Sequence, residues 1–188
     1  MNAEELGEFI DMLHDVCKSV HSGLSPTDTY ANRAALLLFM IACHESDLMR
    51  ARRQYSFRGK ARGGAFSLFQ MEEASIRDSL RNMQSSDALR TSIVHYLYAN
   101  NDTMFPLELP TEELLDTVLL RIQQPEGDRW AAVLARLHIL RIKAPVPDSA
   151  AAMASYAKKY WNTELGKATP LLYAACATTV LWWAITKR

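Results

Sequence analysis

From Ala34 to Cys43 the chain reads AALLLFMIAC, ten residues without one polar side chain. The run is too short to cross a bilayer, which takes about 20 residues. Upstream, Ser25-Pro26 places a cap residue and a proline where a helix would open. A helix that is apolar around its whole circumference is stable only if other elements cover every side of it. The run therefore predicts a central buried helix inside a mainly α fold.

The rest of the chain supplies the covering helices. Leu6, Phe9, Ile10, Leu13, Val16, Cys17 and Val20 repeat at three and four, so residues 3–20 read as an amphipathic helix with Asn2 and Glu5 as a cap pair. Gly23 is expected to end it. Helical spacing returns at Ile76, Leu80 and Met83, and again at Leu89, Ile93 and Leu97. Thr111 caps a helix lined by Leu115, Val118, Leu119 and Ile122. Another begins at Asp128 and carries Trp130, Val133, Leu134 and Leu137. Two prolines keep residues 143–148 extended. Asp148 is expected to start a helix with Met153, Tyr156 and Tyr160, and Thr169-Pro170 to start an apolar helix over 170–186. Residues 50–67 break the pattern; Gly59, Gly63 and Gly64 there point to a loop or a short irregular hairpin. Residues 1–188 read as a single domain with no repeat.

Composition removes several function classes. With 21 basic and 21 acidic side chains, no overall field favours nucleic acid or a membrane surface. Cys17, Cys43 and Cys176 are too few and too scattered for a disulfide framework or a zinc site, and they are expected to be reduced and buried. His44 and His138 lack metal-ligand spacing, so neither a metal nor another cofactor is called for. Acidic residues stand where a signal peptide would be basic, so no signal peptide is expected. Residues 170–186, with Thr178 and Thr179 inside and Lys187-Arg188 beyond, are expected to pack rather than to span a membrane. Adjacent Trp182 and Trp183 point to different sides of a helix, which leaves one available for assembly with another protein or a second copy of this chain.

The apolar helix ends on His44-Glu45-Ser46, at the edge of the polar, glycine-bearing segment. Apolar surroundings and the negative end of a helix dipole both favour a protonated carboxyl. A protonated carboxyl beside a loop able to wall a cleft suits cleavage of a glycosidic bond, where an acid must protonate the leaving oxygen. The same pattern also describes an ordinary solvated helix end.

The motifs extend further. HESD (44–47), followed downstream by GGAFSLFQMEEAS (63–75), resembles the soluble lytic transglycosylase and goose-type lysozyme superfamily. Glu45 and Ser46 match its first motif; Gly64, Ala65, Leu68, Phe69, Gln70 and Met71 match its second. Ser67 stands where that family usually has glycine. A closer likeness is to phage-encoded proteins of this kind, through Arg52, Arg53, Gln54, Ala61, Arg62, Gly63, Phe69, Gln70 and Glu72. ARLHILRIKAPVPD and YAKKYWNTELGKATP resemble them too, so the likeness covers most of residues 30–170.

This resemblance implies a lysozyme-like fold and a virion-associated protein that cleaves peptidoglycan glycan strands. It makes Glu45 the general acid and then the base. In the transglycosylases the N-acetyl group can assist, and the 6-hydroxyl of the muramic acid closes an anhydro ring. A hydrolase would need a held water, for which Glu72 and Glu73 are the candidates; they also read as ordinary acids in a first helical turn. Ser46 is expected to orient the carboxylate, Gln70 to bond the N-acetyl group or the carboxyl, and Gln54 to contact substrate. Leu68 and Phe69 would line the site, unless they are simply core. The third family motif has no clean match: KYWN (159–162) and ARLHIL (135–140) compete, and Tyr160 is the choice for it.

Arg50, Arg52, Arg53, Arg58, Lys60 and Arg62 form a basic run interleaved with Tyr55 and Phe57. Such a run suits nucleic acid. It equally suits the anionic groups of peptidoglycan or an acidic virion neighbour, and neutral net charge favours these last two. A non-enzymatic virion or tail protein retaining the fold, and a nucleic-acid-binding α-domain using residues 50–62, are the competing expectations.

Overall fold

Asn2 opens the first helix as its spacing to Glu5 predicts. In the computed structural model, its Oδ1 accepts from the Glu4 and Glu5 amides at 3.0 and 2.9 Å, while Glu5 Oε2 accepts from the Asn2 amide at 2.8 Å. This reciprocal cap, worth about 1 kcal/mol, starts α1 (Ala3–Ser19). The structure describes residues 2–21, 27–47, 49–55, 62–102, 104–105, 111–162 and 168–186, with all their side chains except those of residues 3, 53–55, 62–63 and 179–186.

Gly23, Ser25 and Pro26 lie outside the described residues. The cap seen for α2 (Asp28–Glu45) is Thr27, whose Oγ1 accepts from the Tyr30 amide at 3.2 Å. From Ala34 to Cys43 every residue of α2 is buried except Leu36, which is half-buried. The irregular segment forms a small antiparallel sheet in the order β1 (Arg53–Tyr55), β2 (Arg62–Phe66), β3 (Met71–Glu72). Arg53 pairs with Phe66 and Tyr55 with Arg62, with a register shift between; Ala65 pairs with Glu72 and Phe66 with Met71. The hairpin expected over 50–67 thus gains a third strand.

The remaining helices are α3 (Glu73–Gln84), α4 (Asp87–Ala99), α5 (Glu112–Arg121), α6 (Asp128–Leu140), α7 (Ala150–Ala157) and α8 (Pro170–Thr186). Thr111 caps α5 as expected, its Oγ1 accepting from the Leu114 amide at 3.2 Å. Ser149 rather than Asp148 caps α7, accepting from the Ala152 amide at 3.3 Å. A 3-10 turn (Pro125–Gly127) precedes α6. Gly127 is required there, because a Cβ would lie 2.0 Å from the Arg121 carbonyl oxygen. A single π-helical turn (Lys158–Asn162) extends α7.

α2 is the hub. α1 and α8 pack along it, α7 and α6 touch it, α8 also packs on α7, and α3 packs on α6. Buried side chains from all eight helices and from the β2–β3 turn join one core. The fold is mainly α, as expected. Among the described residues no helix is long and apolar enough to cross a membrane.

One buried residue breaks the apolar rule. Arg136, 1% exposed on α6, donates from Nε to the Val20 carbonyl at 3.3 Å and from its terminal nitrogens to the Tyr30 hydroxyl at 3.4 and 3.5 Å. Its guanidinium lies 5.2 Å from the centre of the Tyr30 ring. It joins the C-terminal end of α1 to the first turn of α2.

Candidate active site

Glu45 is the last residue of α2, and its position depends on how that helix stops. The Ser46 amide still donates to the Ala42 carbonyl at 3.1 Å, but its carbonyl accepts from both Arg50 and Ala51, at 2.9 and 2.8 Å. Asp47 and Met49 take left-handed backbone angles, φ 50° and 66°. For non-glycine residues this costs roughly 1–2 kcal/mol each, and it turns the chain sharply back. Ser46 is fully buried; its hydroxyl donates to the Ala42 carbonyl at 2.5 Å and accepts from the Met49 amide at 2.9 Å. The expected orienting bond to Glu45 is therefore replaced: Ser46 shapes the turn instead. Glu45 is left half-buried where the apolar helix opens to solvent.

The partner of the carboxylate comes from the far end of the chain. The Tyr173 hydroxyl, on α8, donates to Glu45 Oε1. Tyr173 is fully buried, and the His44 ring lies against it with centroids 4.3 Å apart. Burial, reinforced by the adjacent Glu45 charge, pushes the Tyr173 hydroxyl well above its ordinary value, so it remains a donor throughout the working pH range. The Asn162 side chain opposes that shift, and Lys158 Nζ donates to Asn162 Oδ1 at 3.2 Å. Asn162 thus stands near the Tyr173 hydroxyl that holds Glu45. Among the described residues Glu45 Oε2 has no hydrogen-bond partner. Oε1 is held and Oε2 is open among the described residues.

The π-helical turn sets the position of Asn162, since its wider winding rotates the final residue relative to an α-helical continuation. KYWN does reach the site, but not through the residue chosen for it. Tyr160 stacks on Tyr156 at 4.6 Å and lies under Lys159 Nζ at 5.0 Å. Asn162, two residues on, is the one that acts on Tyr173.

The turn from β2 to β3 forms the adjoining wall. Ser67 has φ 66°, the region that glycine enters freely, which explains why the resembled motif carries glycine there. The Ser67 hydroxyl stabilises the turn by accepting from the Phe69 amide at 3.2 Å. Gln70, at φ 47°, donates from Nε2 to the Ser67 carbonyl at 2.7 Å and the Ala51 carbonyl at 3.3 Å. It is a strut between this turn and the chain leaving Glu45. Leu68 and Phe69 are fully buried, and Phe69 packs on Trp161 at 6.3 Å, which meets His138 edge-on at 5.0 Å. They are core side chains that fix the turn against the α7 extension.

The other candidates stand apart. Glu72 is exposed at the N-cap of α3 without a side-chain cap bond. Glu73 bridges to Arg77 at 3.0 Å, and Arg77 also holds Glu112. The Gln54 side chain lies outside the described residues, as do those of Arg53, Arg58, Lys60 and Arg62, of Tyr55 and Phe57, and of Trp182 and Trp183. Arg52 is not free for an external anion: it forks onto Asp128 at 2.5 and 2.9 Å, tying the entry to β1 to the start of α6. Burial pushes the Asp128 carboxyl up to about 6 despite the Arg52 guanidinium, so the ion pair exists at neutral pH and fades below it. Among the described residues no three His, Cys, Asp or Glu are grouped to hold a metal.

Tyr173, Asn162 and Asp128 are the site and near-site residues that the sequence reading missed. Tyr173 carried one faint signal, a polar tip within an apolar helix. Tyr173→Phe keeps the packing and removes only the donor. Bonds to charged groups contribute about 1.5–3 kcal/mol, so on the expectation that Glu45 cleaves a glycosidic bond, turnover should fall about 10- to 100-fold with KM nearly unchanged. Steady-state kinetics on soluble glycan strands would read this; unchanged turnover would remove Tyr173 from the site.

Comparison with family models, with curated proteins and with solved structures returns no match.

Proposed function

We propose that the protein is a lysozyme-like enzyme that cleaves the β-1,4 glycosidic bond of bacterial peptidoglycan, with Glu45 as general acid and then general base. The observation that carries this reading is the Glu45 carboxylate just after the apolar run of α2, with Oε1 held by the buried Tyr173. Oε2 would give its proton to the leaving oxygen, and Tyr173 would stabilise the carboxylate so formed. That carboxylate would then take a proton from the nucleophile that completes the reaction.

The nucleophile we favour is the 6-hydroxyl of the muramic acid itself, giving a lytic transglycosylase. Support comes from the placement of Glu72 and Glu73, exposed at the start of α3 with Glu73 engaged by Arg77, where neither bonds Glu45 or Tyr173. We place the protein in a phage particle, acting at the cell wall to aid DNA delivery beside other virion or tail proteins. The phage-like motifs support that placement. A dedicated nucleic-acid site is disfavoured by the neutral net charge and by the commitment of Arg52 to Asp128.

Product analysis tests the reading. Purified murein sacculi digested with the protein are expected to release anhydro-muropeptides, lighter by one water than the hydrolytic products in mass spectrometry. Reducing-end products would point to a held water and a muramidase. Absence of any soluble muropeptide would favour the non-enzymatic virion module.

A further inference from the structure

The chain that leaves Glu45 is fixed at three points. The Ser46 carbonyl accepts from the Arg50 and Ala51 amides at 2.9 and 2.8 Å, which closes the turn on itself. The Ala51 carbonyl accepts from Gln70 Nε2 at 3.3 Å, which joins it to the turn between β2 and β3. The third point is Arg52, forked onto Asp128 at 2.5 and 2.9 Å. Of the three, this last alone ends on a helix of the core: it spans 76 residues to the first turn of α6, which is buried along most of its length.

We propose that Asp128 is a positioning residue for Glu45: through Arg52 it holds the chain leaving Glu45 against α6, and so sets where the carboxylate sits. The kinetic part of this proposal rests on the glycosidic-bond cleavage proposed above. A two-armed contact suits the task, because a guanidinium fork fixes orientation as well as distance. It contributes more to geometry than to stability. The side chains are 22% and 14% exposed, and taking two charges that far out of water offsets much of their attraction.

Protonation of Asp128 slackens the fork. A neutral carboxyl keeps one accepting oxygen and loses both the charge and the second arm. Burial is the main influence on this carboxyl and raises it, Arg52 lowers it and Glu126 raises it further, leaving it at about 6. The other charged groups around it are Glu5 and Glu8 of α1 and Arg129 of α6, which line with the fork a cavity of about 450 Å³. That cavity gives water a path to the carboxyl, so a proton arrives without unfolding. Slackening and unfolding then run in opposite directions. An unfolded aspartate takes up its proton only near 3.8, so between about 6 and that value the folded chain holds the extra proton, and this group's contribution to stability rises as pH falls.

Asp128→Asn keeps the shape and cannot ionise, so it fixes the neutral state at every pH. Near neutral pH the parent's Arg50 and Ala51 amides should be protected in hydrogen exchange read by NMR, and the variant should lose about 10-fold of that protection. The Glu45 side-chain carboxyl, followed by carbon-13 NMR, should move between parent and variant. Relative to the variant, the parent's thermal midpoint should rise as pH falls through about 6. On soluble glycan strands kcat of the variant should fall about 10- to 100-fold, the scale of a catalytic group displaced by about an ångström, with KM nearly unchanged. The parent's own loss of kcat as pH falls through about 6 should be absent from the variant. Arg52→Lys, which keeps the charge without the fork, takes the place of Asp128→Asn if that variant folds poorly, and should show smaller changes in protection, carboxyl shift and kcat. Parental protection with an unmoved Glu45 carboxyl would overturn the positioning whether or not the protein cleaves murein. Parental kcat and pH profile in a protein that does cleave would overturn it too. A moved carboxyl in a protein that cleaves nothing would uphold the positioning and remove the catalytic reading alone.

Discussion

Glu45→Gln is expected to fold like the parent and to release muropeptides more slowly by about 10²–10⁴-fold, the usual contribution of a general acid. Glutamine nearly preserves the shape of the side chain, and its amide oxygen can still accept from Tyr173. What it lacks is a proton to give to the glycosidic oxygen. Circular dichroism and the thermal midpoint should therefore stay with the parent while turnover collapses. Equal digestion by mutant and parent would remove Glu45 from the chemistry. Sacculi left intact by both would move the protein to the assembly reading.

The second large effect concerns stability. Arg136→Ala is expected to cost about 3–5 kcal/mol, because it empties a packed site and leaves the Val20 carbonyl without its buried donor. Domains of ordinary stability have only about 5–15 kcal/mol to lose, so the urea midpoint should fall by a large fraction of its value. Arg136→Lys keeps the charge without the fork and should fall between the two. A loss below about 1 kcal/mol for the alanine variant would mean that solvent reaches Val20 and replaces the bond.

Arg136 also shows the limit of reading a helix by period. Within ARLHIL it is the one charged residue among apolar ones and His138, yet it is among the most buried side chains in the protein. Burial there follows from what α6 meets: the Val20 carbonyl just past α1 and the Tyr30 hydroxyl, more than a hundred residues away along the chain. Ser46 gives the same lesson at short range. Its hydroxyl lies next to Glu45 in sequence, but two backbone groups of its own turn claim it.

What the chain determined by itself is local. The ten apolar residues of α2 demanded cover on every side, and Asn2 with Glu5 and Thr111 marked helix starts through bonds spanning three residues. Glycines at 59, 63 and 64 marked the break in helical period, and Glu45 stood where the apolar run met polar sequence. Each of these signals acts within a few residues, where spacing alone sets which groups can meet. The partner of Glu45 was of another kind. Tyr173 lies 128 residues away in an apolar helix with no polar stripe to orient it. Which face of α8 meets α2 depends on how the two helices pack. Only the tertiary structure decided that, because the free energy selecting one packing of two apolar helices is spread over many side chains at once.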